Sequence, residues 1–122
     1  MKVIIDLIDD IREAINNESD FSLSAMGLQE NEKGEFVPSW QANINQYKLD
    51  VKAKKLYLFL GKENALKVGS FLSELNILSN EQMMYELCVS FTKENQRIDA
   101  SLMGFGESLP EKKYLLYISE VI

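Results

Sequence analysis

The segment Leu56-Tyr57-Leu58-Phe59-Leu60 is apolar at every position. Side chains of a strand alternate between faces, so such a run reads as a central strand with apolar surroundings on both sides. Tyr114-Leu115-Leu116-Tyr117-Ile118, near the other end of the sequence, has the same character. Two strands of this kind demand cover on both faces of a sheet, and the source of that cover decides the architecture.

Upstream of Leu56, the stretch Asp50–Lys54 is a break, and Trp40, Ala42 and Ile44 alternate with Gln41, Asn43 and Asn45 as a half-buried strand would. Pro38 donates no ladder hydrogen bond, so this strand is expected to lie at an edge or only to begin there. Glu30 to Glu35 is a polar connection with Gly34 available for a positive φ. Before it, Phe21, Leu23 and Ala25 alternate with Ser22 and Ser24 as another strand. Residues 3–17 carry Ile4, Leu7, Ile8, Ile11 and Ile15 at helical spacing, with an end expected near Asn16-Asn17.

Downstream, Ala65, Val68, Leu72 and Leu75 mark a second helix, its stripe widened by Leu66 and Phe71. Ser79 and Gln82 have the spacing of a capping box that would open a short helix. Tyr85, Leu87, Val89 and Phe91 alternate with polar or small residues, so 85–92 is read as a strand. Lys93-Glu94-Asn95-Gln96 is a hairpin turn into Ile98, Ala100 and Leu102. Gly104 to Lys112, containing Pro110, is read as a loop, with Gly104-Phe105-Gly106 as a tight turn.

The expected fold class is α+β: two amphipathic helices packed on a mainly antiparallel sheet, in the order α-β-β-β-α-β-β-β, with residues 1–122 as a single compact domain. At 122 residues such a domain buries roughly 65–70% of its unfolded surface. The cover that the 56–60 and 114–118 runs require has three sources: helices on opposite faces, a sheet that curls on itself, or a second subunit. The second subunit is the favoured source, which makes a homodimer through a sheet face the expected assembly. No residue-level repeat links the two rounds of helix and strands, so duplication is suggested by element order alone.

Composition limits the chemistry. Histidine is absent, which removes the commonest general base and transition-metal ligand. Neither a Ser–His–Asp nor a Cys–His arrangement is possible within this chain. Cys88 is the only cysteine, sits between Leu87 and Val89, and has no basic neighbour in sequence to favour a thiolate. Gly61-Lys62 lacks the remaining glycines and the Ser or Thr of a phosphate loop. No catalytic residue, metal ligand or cofactor is therefore assigned.

A formal charge of −6, with arginine only at Arg12 and Arg97, argues against nucleic acid as a partner. No apolar run approaches the roughly 20 residues of a membrane span, and MKVIIDLIDD lacks the basic start of a signal peptide. A cytoplasmic protein is expected. Asp6, Asp10 and Glu13 share a helical face with Asp9 and form a candidate patch for a basic partner protein. Trp40 and Tyr47 are further candidates, since these residue types favour interfaces.

The element order also resembles that of bacterial secretion chaperones, in order only and through no motif. That resemblance implies a small, acidic, often dimeric protein that holds a partner segment across its surface. Those chaperones commonly end in a helix, whereas this chain is expected to end in a strand. The leading expectation is a non-enzymatic protein-interaction module, of chaperone-like or immunity-protein-like type. A structural subunit of a larger assembly is the alternative, and a carboxylate-dependent enzyme ranks third.

Overall fold

In the computed structural model, which describes residues 1–15 and 20–119, the six strands close into a barrel in chain order, β1 to β6. The elements are α1 (Ile4–Ile15), β1 (Ser22–Glu30), β2 (Phe36–Asp50), β3 (Lys55–Gly61), α2 (Val68–Leu75), β4 (Glu86–Lys93), β5 (Gln96–Ser108) and β6 (Lys113–Ile118). The α+β class and the element order are as expected. A short 3-10 turn, Gln82–Met84, precedes β4. The expected end of the first helix at Asn16-Asn17 lies outside the described residues.

The sheet is mixed rather than wholly antiparallel. β1-β2-β3 and β4-β5-β6 are antiparallel meanders, joined by two parallel seams, β3 with β4 and β6 with β1. This closure answers the demand for cover: the sheet curls on itself, and no second chain is needed to bury its inner face. Leu56, Leu58, Leu87, Val89, Tyr114, Leu116 and Ile118 point inward and are buried. Tyr57, Phe59 and Tyr117 point outward and are half-buried, which accounts for the two-sided apolar character of β3 and β6.

The two meanders correspond closely. The turns at 51–54 and 109–112 both end on a lysine in the left-handed region, Lys54 (φ 56°) and Lys112 (φ 53°). The carbonyl of Lys54 accepts from Glu86 N–H (3.2 Å), and that of Lys112 from Ser22 N–H (3.0 Å). Ladder irregularities fall between Ile44 and Gln46 in β2 and between Leu102 and Gly104 in β5, at matching positions. Bulges there bend the two longest strands, as barrel closure requires. The lead-in to each helix is tied to the other half. Ile4 N–H donates to Tyr85 O (3.1 Å) and Val68 N–H to Phe21 O (2.8 Å), while Leu87 N–H donates to Lys2 O and Leu23 N–H to Leu66 O, both at 2.9 Å. An approximate two-fold therefore relates α1-β1-β2-β3 to α2-β4-β5-β6. Its trace in sequence, Lys55-Leu-Tyr-Leu-Phe-Leu60 against Lys113-Tyr-Leu-Leu-Tyr-Ile118, becomes visible once the register is known.

Both helices lie at the barrel end where β1 and β4 begin, and Arg12 on α1 donates to Asn76 just past α2 (3.2 Å). Ile4, Leu7, Ile8, Ile11 and Ile15 of α1 join Val68, Phe71, Leu72 and Leu75 of α2 and the barrel interior in one apolar core. The Ser79–Gln82 capping box is present reciprocally, with Ser79 N–H to Gln82 Oε1 (3.0 Å) and Gln82 N–H to Ser79 Oγ (3.2 Å). It opens only the 3-10 turn, so the short helical turn and the strand after it both exist. Glu94 and Asn95 (φ 52° and 63°) make the two-residue β4–β5 turn. Gly34 takes φ 79° in the β1–β2 connection.

One expectation is overturned outright. Gly104-Phe105-Gly106 is not a turn but the final part of β5, which runs to Ser108. Phe105 turns inward and stacks near Tyr114, with ring centroids 6.2 Å apart. On the outside, the Tyr117 ring lies across the two glycines, and a Cβ at Gly106 would fall 2.0 Å from its hydroxyl. Glycine is needed there for the approach of a neighbouring strand's ring. Gly106→Ala is accordingly expected to lower stability by about 1–3 kcal/mol, measured by denaturant melts. Gly104→Ala meets only ordinary contact, the Tyr117 ring edge at 3.9 Å, and serves as the control.

Pro38 neither opens its strand nor marks an edge strand: β2 begins at Phe36 and pairs with both β1 and β3, but around Pro38 it is paired on one side only. The Phe36–Ala42 part of β2 pairs with β1, whereas the β2–β3 ladder begins at Asn43. The missing donor falls on this one-sided stretch, beside the register irregularity at Gly27/Leu28.

Candidate functional site

The acids of α1 sit on the outer face of a helix whose other face is fully committed to the core. Asp6, Asp9, Asp10 and Glu13 line one shallow cleft together with Lys2 and Phe105. Two of the four have internal partners. Asp6 Oδ2 accepts from Val3 N–H (2.9 Å), satisfying one of the donors left open at the helix start. Asp10 Oδ2 accepts from the Tyr114 hydroxyl, which reaches it from β6. Burial, reinforced by that carboxylate, pushes the Tyr114 phenol far above its ordinary value, so it remains a donor. Asp9 and Glu13 are exposed. Lys2 Nζ stands 5.7 Å from the centre of the Phe105 ring, a cation–π contact at the edge of the cleft.

Asp6, Asp10 and Glu13 are therefore brought together with Asp9, as their shared helical face indicates, and the structure adds Lys2 and Phe105. Phe105 was hidden from the sequence by its glycine neighbours. Trp40 and Tyr47 lie elsewhere and apart from each other. Trp40 packs edge-on against Phe91 (5.9 Å) and Tyr47 edge-on against Phe71 of α2 (5.1 Å), each partly buried against the core.

A second cleft, on the side of the barrel where the chain enters α2, is lined by Ser22, Asn43, Asn64, Lys67 and Lys113. Lys67 Nζ is engaged there by Asp20 O (3.3 Å) and Ser22 Oγ (3.2 Å). Nearby, Lys112 Nζ pairs with Asp20 Oδ2 at 2.7 Å, and its hydrogen bond holds that carboxyl below the usual range. Cys88 is buried and its thiol is pushed up, chiefly by desolvation and then by Glu86. Among the described residues, no group of three or more His, Cys, Asp or Glu is placed to hold a metal ion. No helix among the described residues is long and apolar enough to cross a membrane.

Comparison with known proteins finds no matching protein-family model, no matching curated protein and no matching solved structure. The functional reading therefore rests on the residues and their geometry.

Proposed function

We propose that the chain is a non-catalytic protein-binding module that receives a basic segment of a partner in the α1 cleft. The observation that carries this reading is the convergence of Asp6, Asp9, Asp10 and Glu13 on one cleft with an aromatic ring, Phe105, in its lining. Asp6 and Asp10 spend part of their capacity on the fold, whereas Asp9 and Glu13 face solvent and present their charge to an incoming cation. The overall charge of −6 adds a long-range attraction that speeds encounter with a basic surface. Phe105 offers apolar and cation–π contact to a lysine or arginine stem.

The test uses an octalysine peptide and the folded protein. Amide shifts at low salt are expected to concentrate on α1 and on the strand around Phe105. The double variant Asp9→Lys, Glu13→Lys leaves both internal hydrogen bonds in place. It should weaken binding about tenfold and flatten its salt dependence. Unchanged affinity and salt slope in that variant, or shifts scattered over the whole surface, would sink the proposal.

Self-association is a second reading, favoured by a different observation. Phe36 and Val37 are exposed on the stretch of β2 that runs beyond the β2–β3 ladder. An open strand edge with apolar side chains invites a second copy, although Pro38 interrupts its donors. Sedimentation showing only monomer at high protein concentration would remove this reading.

A further inference from the structure

The approximate two-fold points to a place where the halves differ. At the β6/β1 seam, parallel pairing runs from Ser22↔Lys113 through Gly27↔Ile118. At the β3/β4 seam it stops one pair earlier, at Phe59↔Ser90. Phe91 stands where the other half has Gly27, and its ring is turned against Trp40. Beyond Phe59 and Ser90 the two strands part, and the fork between them is a cavity of about 440 Å³. Roughly 300–1,000 Å³ is the size range of small-molecule sites. This fork lies at the barrel end opposite the helices and the acidic cleft.

Its chemistry is amphipathic and, against the charge of the chain, cationic. Phe59, Leu60 and Phe91 supply apolar wall, and Lys62 and Arg97 line the same cavity. Arg97 is held in place from three sides. Its guanidinium lies 4.6 Å from the Tyr57 ring centre and 5.5 Å from that of Phe59. Its Nε donates to Ser90 Oγ and to Asp99 Oδ1, both at 2.9 Å. Those bonds use Nε alone, and among the described residues the Nη nitrogens have no hydrogen-bond partner. Asp99 balances one positive charge, and Lys62 leaves the fork net cationic. A planar, pre-oriented guanidinium beside an apolar wall suits a carboxylate carrying a hydrophobic group.

We propose that the β3/β4 fork is a binding site for a hydrophobic carboxylate, with its apolar part against Phe59, Leu60 and Phe91 and its carboxylate between Arg97 and Lys62. The same chemistry is presented by a free medium-chain or aromatic acid and by the C-terminal residue of a peptide. Trp40 is the only tryptophan, and its contact with Phe91 makes its fluorescence a reporter of the fork.

The experiment titrates the full chain with octanoate and with octanol, and separately with acetyl-Gly-Phe as the free acid and as the amide. A saturable change in Trp40 emission is expected for at least one carboxylate, with the uncharged counterpart at least tenfold weaker. Lys62→Gln and Arg97→Gln should each weaken that binding severalfold. Lys62 has no role in packing, so it carries the charge test if Arg97→Gln unfolds the protein. Thr92→Phe, at the exposed edge of the fork, should block binding while leaving the thermal midpoint in place. Saturation by octanoate alone assigns the free acid, and saturation by the dipeptide acid alone assigns a peptide C-terminus. No saturation by either carboxylate overturns the proposal. So does equal binding of the uncharged counterparts, or unchanged binding in Lys62→Gln together with Thr92→Phe.

Discussion

Tyr114→Ala is expected to cost about 3–5 kcal/mol of folding stability, a large part of the margin a small domain possesses. Tyr114 is 0% exposed, stacks near Phe105 and bonds the Asp10 carboxylate of α1. One side chain thus joins β6, β5 and the first helix. Tyr114→Phe keeps the ring and removes only the donor, at a cost of roughly 1.5–3 kcal/mol for a hydrogen bond to a charged group. The two variants also differ from wild type in alkali. The folded state holds the Tyr114 phenol well above its ordinary value of 10.0, first through burial and then through Asp10. Above about pH 10 the unfolded chain releases that proton while the folded chain retains it. Stability is therefore full below pH 10 and falls as pH rises, by up to about 1.4 kcal/mol per pH unit. Cys88, whose thiol is also raised, adds a loss in the same direction beginning near its ordinary value of 9.0, but equally in both proteins. Denaturant melts at pH 8, 10 and 11 should show the wild type losing stability more steeply than Tyr114→Phe. Parallel losses would mean that Tyr114 does not hold its proton in the folded state.

The second large effect comes from the helices. Phe71 in α2 and Leu7 in α1 occupy corresponding positions in the two halves, and both are buried, at 2% and 0% exposure. Phe71 packs edge-on against Tyr47, whose counterpart in the second half is Phe105. Phe71→Ala should cost about 3–5 kcal/mol and Leu7→Ala about 2–5 kcal/mol, each through lost burial and the cavity left behind. Because both helices cover one continuous core, each variant should melt in a single transition with all probes coincident. A separate early transition in one of them would show that the half it belongs to unfolds on its own.

Much of this fold is legible where a local rule acts. The stripe Ile4-Leu7-Ile8-Ile11-Ile15 meets the core as its spacing indicates, the Ser79–Gln82 pair caps, and Glu94-Asn95 turns. The β3 and β6 runs also signal cover, which the barrel supplies on their inner face, while Tyr57, Phe59 and Tyr117 on the outer face are only half-buried. What they do not state is the source of that cover. Closure depends on the parallel seams, which pair residues far apart in sequence and leave no local pattern. The Gly104-Phe105-Gly106 stretch misleads for a related reason: Gly106 admits the Tyr117 ring from the next strand, and nothing beside it in sequence reveals that. The acidic face of α1 is visible in the spacing of Asp6, Asp10 and Glu13. Phe105 and Lys2 join it only through the barrel's geometry, and the β3/β4 fork exists only as a departure from the two-fold.

Closure also bears on the proposed function, because a barrel with a filled interior leaves its clefts, helix faces, outer sheet face and the β2 edge as the surfaces a partner could reach. It is tested most directly by nuclear Overhauser contacts across the two parallel seams in solution. Cross-strand contacts are expected for Leu23 with Tyr114 and Ala25 with Leu116, and equally for Leu56 with Leu87 and Leu58 with Val89. If the antiparallel ladders appear while the contacts of either seam are missing, the barrel is open and this account of the fold is wrong.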